Sequence, residues 1–149
     1  MSQKFATRAL ALAMTLAAGA VGSMAPVATA QAGDVSGAYV ECYVDTFAFD
    51  EPTAEYCMSV WAPRRANNPS VAWFNVAGLQ PGSYNFYWTD LETGNQPANC
   101  GISAQTCTVP IRTETRGDGQ ATLQVRVFDN ATGASVLRMA VAEYYDGFN

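Results

Sequence analysis

Beyond Tyr39 the chain alternates apolar and polar residues with a period of two, the signature of strands that bury one face and wet the other. Ala121, Leu123, Val125 and Val127 alternate with Thr122, Gln124, Arg126 and Phe128, and Tyr84, Phe86 and Trp88 alternate with Asn85, Tyr87 and Thr89. The same pattern recurs at Tyr39 to Val44, Cys57 to Trp61, Val71 to Val76, Thr106 to Ile111 and Val136 to Tyr144. It predicts about seven strands, no long helix, and an all-β antiparallel sandwich. Asn67-Asn68-Pro69, Gln80-Pro81-Gly82 and Gly117-Asp118-Gly119 punctuate the run with residues suited to tight turns.

Upstream the pattern changes. Lys4 and Arg8 precede an uncharged apolar run, Ala9 to Gly22, too short to span a bilayer, and Ala28-Thr29-Ala30 is a small-x-small cleavage signal. A retained anchor or an N-terminal core helix fits less well than a cleaved signal peptide over 1–30, with a single sandwich domain over 31–149. Ala30-Gln31-Ala32 is a second such signal, so the mature chain starts at Gln31 or Gly33. About 119 residues remain, enough for one sandwich core. No further stretch is long and apolar enough to span a membrane as a helix, and the expected location is secreted or periplasmic.

Export places Cys42, Cys57, Cys100 and Cys107 in an oxidising compartment and makes two disulfides the expectation. Of three connectivities we favour the local pairs Cys42 with Cys57 and Cys100 with Cys107, since each brackets a turn-rich segment. A zinc site is a poor alternative, because neither spacing is C-x-x-C and the chain has no His. Without Lys4 and Arg8, six arginines face thirteen acidic residues, so the mature net charge is −7. Such a surface repels phosphate, which argues against nucleic acid or anionic lipid as partners.

Two corners echo one another. Trp88-Thr89-Asp90-Leu91-Glu92-Thr93-Gly94 and Val127-Phe128-Asp129-Asn130-Ala131-Thr132-Gly133 each end a strand in Asp-x-x-Thr-Gly, and both read as β-hairpin corners. A calcium loop built on Asp90, Glu92 and Asp129 lacks the six or so oxygens of a full cage, so no metal or other cofactor is expected.

Ala77-Gly78-Leu79-Gln80-Pro81-Gly82-Ser83-Tyr84-Asn85-Phe86 resembles the Leu-x-Pro-Gly-x-Tyr strand entry of immunoglobulin-like sandwiches, including fibronectin type III and prealbumin-like modules. The spacing from Gly82 to Tyr84 is closer to the prealbumin-like version. The resemblance implies an immunoglobulin-like sandwich in which Leu79, Pro81, Gly82 and Tyr84 are structural. The Tyr84 hydroxyl would bond back to nearby backbone while the ring packs on the core. It carries no binding residues across.

Chemistry is constrained by subtraction. With no His and no Lys beyond Lys4, the mature chain cannot build a Ser-His-Asp triad, a Cys-His pair, a Ser-Lys dyad or a Schiff-base lysine. A glycosidase-type carboxylate pair drawn from Asp45, Asp50, Glu51, Glu55, Asp90, Glu92 or Glu143 survives, against the plainer reading of solvated rim charges. Binding residues come from alternation instead. If Val40, Cys42 and Val44 face the core, Tyr39 and Tyr43 face solvent. The same logic puts Trp73 and Tyr87 outside and sets Tyr144 beside Arg138 on the outer face of the last strand. Such rings can stack on sugars or anchor a protein, or simply pair across strands. Arg116-Gly117-Asp118, an integrin-type tripeptide, reads as an ordinary turn, and Asn130-Ala131-Thr132 fits an N-glycosylation acceptor. The expected function is therefore a non-catalytic binding or structural module for a protein or polysaccharide partner. A small secreted inhibitor or carrier and a carboxylate-based glycan-active enzyme are the alternatives.

Overall fold

The computed structural model describes residues 32–44, 51–60, 71–113 and 118–145. The leader and its Ala28-Thr29-Ala30 signal, Gln31, Asp45, Asp50, Trp61, Asn67-Asn68-Pro69, Arg116 and Gly117 lie outside the described residues.

Nine strands form two packed sheets, and no helix occurs among the described residues. They are β1 (Tyr39–Val44), β2 (Thr53–Ala54), β3 (Tyr56–Val60), β4 (Val71–Ala77), β5 (Tyr84–Asp90), β6 (Thr106–Pro110), β7 (Arg112–Thr113), β8 (Gly119–Asp129) and β9 (Ser135–Tyr145). The seven longer strands are those the alternation predicts, and β2 and β7 are two-residue additions. The first sheet has the order β2-β1-β4-β6 and the second β3-β9-β8-β5, with β7 also pairing β8. The chain is thus an all-β sandwich.

Alternation sets the packing. Val40, Cys42 and Val44 of β1 and Ala72, Phe74 and Val76 of β4 point inward from the first sheet. Phe86 and Trp88 of β5 and Leu123, Val125 and Val127 of β8 meet them from the second. Trp88 is buried with its one polar atom satisfied, Nε1 donating to the Ala104 carbonyl at 2.8 Å. Cys42 of the first sheet is bonded to Cys57 of the second, so this disulfide ties the sheets together; Cys100 is bonded to Cys107. The local pairing is the one present.

The sandwich is not wholly antiparallel, because β3 runs parallel to β9. The cause lies at Glu55. The chain passes from β2 to β3 without reversing, and Glu55 sits at φ 65°, a left-handed conformation uncommon for a residue with a side chain. Its amide donates to the Val40 carbonyl of the first sheet and its carbonyl accepts from the Val141 amide of the second. One edge segment thereby serves both sheets, and β3 keeps the direction of β2.

The two Asp-x-x-Thr-Gly corners share local geometry but not topology. In each, the Asp amide donates to the carbonyl five residues on, and the Gly, at φ 70° in Gly94 and 75° in Gly133, donates to the Asp carbonyl. The corner at Asp129 joins β8 to β9 as a hairpin. The corner at Asp90 does not make a hairpin: it leads out of the second sheet to β6 of the first, because β5 takes β8 as its partner.

Candidate functional site

Among the described residues, most of the exposed large apolar side chains lie on the outer face of the second sheet. Rows run across it from the register: Tyr87, Arg126 and Leu137; Thr89, Gln124 and Met139; Thr122, Val141 and Tyr56; Gln120, Glu143 and Met58. Among the described residues ten large hydrophobic side chains are substantially exposed, and seven lie here. β9 supplies Leu137 (49% exposed), Met139 (47%) and Tyr145, β3 supplies Tyr56, Met58 and Val60, and β5 supplies Tyr87. A sheet face left to water normally carries polar residues, and this strip departs from that pattern. At the β5 end it dips into a shallow groove of about 390 Å³ lined by Tyr87, Thr89, Gln124, Arg126, Phe128 and Leu137.

Two charges bracket the strip. Arg126 stands at one end with no hydrogen-bond or ion-pair partner among the described residues. Glu143 stands at the other, where its Oε2 accepts from the hydroxyls of Tyr56 at 2.6 Å and Tyr145 at 3.0 Å. The bond to Glu143, then desolvation and the negative charges nearby, push the Tyr56 hydroxyl up to about 12.

The residues proposed from alternation fall into three places. Tyr87 lies on this face as expected. Tyr43 and Trp73 are on the outer face of the other sheet, paired directly across β1 and β4 and stacked at 5.0 Å between centroids. One face of each ring is therefore used on its neighbour, a cross-strand pair that stabilises the sheet. Tyr144 and Arg138 do share a face of β9, but it is the inner one, and their placement outside is corrected. Tyr144 is fully buried, while Arg138 turns its guanidinium over the sandwich end, with Nε donating to Ala38 O at 2.6 Å and Nη2 to Ser36 O at 3.2 Å. The error has a physical source: β9 is apolar at both parities, so alternation does not choose its inner face.

That same feature was the signal for the residues missed. Leu137, Met139 and Val141 interleave with Val136, Ala140 and Ala142, so the strand is apolar at both parities, yet in the single chain Leu137 and Met139 are about half exposed.

The remaining candidates are structural in their surroundings. Tyr84 donates to the Gln80 carbonyl at 2.7 Å across Pro81 and Gly82, with its ring and Leu79 packed against the core. Asp90 Oδ1 accepts from the amides of Glu92 and Thr93. Asp129 accepts from the Ala131 amide and the Thr132 hydroxyl, and the Thr132 bond above all, then the Ala131 amide, hold its carboxyl below the usual range. Asn130 of the glycosylation pattern donates from Nδ2 to Ser83 Oγ and Asn85 Oδ1. Among the described residues no three His, Cys, Asp or Glu side chains converge as a metal site would require. Comparison with protein-family models, with curated proteins and with solved structures finds no match to this chain.

Proposed function

We propose that this chain is an exported, non-catalytic, immunoglobulin-like structural module that associates with a second copy of itself through the outer face of the second sheet. Two disulfides fit the oxidising periplasm or exterior. The observation that carries the reading is the apolar strip on β9 and β3, bracketed by Arg126 and Glu143.

Its charge pattern favours a second copy over an unrelated partner. Take a two-fold axis lying between two facing sheets, across the strands at the level of Leu123. It exchanges the row of Arg126 with the row of Gln120 and Glu143. Arg126 of each copy then meets Glu143 of the other, offset by about 4.8 Å, one strand spacing, and Glu143 Oε1, without a partner among the described residues, is available to accept. Met139 and Val141 lie between these rows and meet each other, while Leu137, in the row of Arg126, meets the row of Glu143. Strand lengths give about 540 Å² of sheet per copy, so two copies cover about 1,100 Å², within reach of a specific interface.

Sedimentation equilibrium tests this. The wild type should show a dimer whose population rises with concentration, and Met139→Lys should be monomeric with the unfolding midpoint of dilute, monomeric wild type, because the side chain is solvent-facing in the single chain. A wild type monomeric at about 100 μM, far above a useful Kd, would overturn the reading. A second reading, a small inhibitor, is favoured by Ile102, whose side chain is exposed in the loop closed by Cys100 and Cys107. In that case Ile102→Asp, and not Met139→Lys, abolishes capture of the target from the host's secreted fraction.

A further inference from the structure

Asp129 is fully buried at the end of β8, yet none of the partners described for its carboxylate is a cation. Oδ1 accepts from the Ala131 amide at 2.9 Å, and Oδ2 accepts from the Thr132 hydroxyl at 2.6 Å and the Gly33 amide at 3.2 Å. Arg138 is spent on the carbonyls of Ser36, Leu137 and Ala38. Neutral donors already hold this carboxylate in its charged form, and a cation among them would strengthen that hold. The sister corner is an internal control. Asp90 occupies the same turn but is only half-buried.

The segment covering Asp129 begins at Gly33. Ala32 is exposed, Gly33 is half-buried, and Val35 and Ala38 belong to the core. A Cβ on Gly33 would collide with the Tyr84 ring and hydroxyl, which is itself fixed on Gln80, so only glycine fits. Downstream, Arg138 pins the carbonyls of Ser36 and Ala38. The Gly33 nitrogen is thus held on Asp129 by packing on both sides. Ala30-Gln31-Ala32, a small-x-small signal, ends immediately before it.

We propose that the leader is removed between Ala32 and Gly33, and that the new α-ammonium of Gly33 is the cation that pairs with buried Asp129. The proposal rests on the export reading above. A leader peptidase hydrolyses the Ala32–Gly33 bond: the hydroxyl of water goes to the Ala32 acyl carbon, its proton to the Gly33 nitrogen, and the amine takes a second proton at neutral pH. Processing thereby converts a neutral donor into a charged one at a site already built for it. Cleavage after Ala30 instead leaves Gly33 as an amide and Asp129 without a cation.

The other titratable and charged groups of the segment and its surroundings are Asp34, engaged with Ser36, the Tyr84 hydroxyl on Gln80, and Arg138. The amine, ordinarily near 7.7–8.0, is therefore raised in the folded state. A raised group contributes stability in full below its unfolded value and loses it as pH rises through the folded value. Mature protein should thus weaken from about pH 8 upward.

The test expresses the full chain in an exporting host, with Ala32→Gln as the variant that forces cleavage back to Ala30. Intact mass should place the wild-type start at Gly33 and the variant start at Gln31. NMR titration of the wild-type α-amine should show a midpoint raised by about one unit or more, a tenfold gain in proton affinity. Its melting temperature should fall between pH 8 and 9.5, while Ala32→Gln and Asp129→Asn stay flat there. An exported wild type beginning at Gln31, or an amine titrating at its ordinary value, overturns the pairing while leaving export intact. A protein that keeps residues 1–30 overturns both.

Discussion

Tyr144 and Tyr145 are adjacent, chemically identical and opposite in environment, which makes them a matched probe of the β9 register. Tyr144 is 0% exposed between the sheets and Tyr145 is 43% exposed on the outer face. Burying a tyrosine removes about 150–250 Å² from water, worth about 4–6 kcal/mol at about 25 cal/mol per Å² and less against a compact unfolded chain. Tyr144→Ala should therefore cost about 3–5 kcal/mol, much of a small domain's stability. Tyr144→Leu, which refills part of the space, should cost about half as much and keep the comparison measurable if the alanine variant does not fold. Tyr145→Ala leaves no cavity and loses one exposed hydroxyl bond to Glu143, so about 0.5–1 kcal/mol is expected. Urea unfolding followed by the fluorescence of buried Trp88 reads both. Equal costs, or a larger cost at Tyr145, would mean that β9 is slipped by one residue and that its apolar strip faces the core.

Three further outcomes follow from the same coordinates. Loop closure over separations of 15 and 7 residues predicts losses of about 3 kcal/mol for the Cys42→Ala/Cys57→Ala pair and about 2.3 kcal/mol for Cys100→Ala/Cys107→Ala, checked by chemical denaturation and non-reducing peptide mapping. At Glu55, held at positive φ, Glu55→Gly should be neutral or stabilising by up to about 1 kcal/mol, whereas branched Glu55→Val should cost about 1–2 kcal/mol in thermal melts. Tyr56, pushed up to about 12, should ionise well above the ordinary tyrosine value near 10 in an absorbance titration at alkaline pH. Since its neutral form is the one the fold favours, its contribution is complete below the ordinary value near 10 and is lost between 10 and 12.

Where one parity of a strand is apolar and the other polar, the sequence alone orients the strand. Val40, Cys42 and Val44 against Tyr39, Glu41 and Tyr43 place β1, and the alternation in β8 does the same. β9 gives no such contrast, and there the face of Tyr144 and Arg138 goes wrong. The corner at Asp90 fails differently. Its local chemistry equals that at Asp129, but whether a corner closes a hairpin depends on which strand the next segment pairs with, a non-local choice that no five residues encode. The parallel β3–β9 pair was hidden for the same reason, since nothing in Glu55 announces a positive φ. The stack of Tyr43 on Trp73 depends on a register between strands more than twenty residues apart. The site on the outer sheet face was half legible: Tyr87 came from alternation, whereas Leu137, Met139 and Tyr56 became one surface only once β5, β9 and β3 were assembled.

The most direct test of the association face is a reciprocal charge swap read by sedimentation equilibrium. Arg126→Glu alone and Glu143→Arg alone each place like charges across the two-fold and should weaken the dimer at least tenfold, about 1.4 kcal/mol or more. The double variant restores opposite charges at both contacts and should recover dimerisation to near the wild-type level. Single variants that dimerise as well as wild type, or a double variant no better than the singles, would contradict the placement of Arg126 against Glu143 of a second copy.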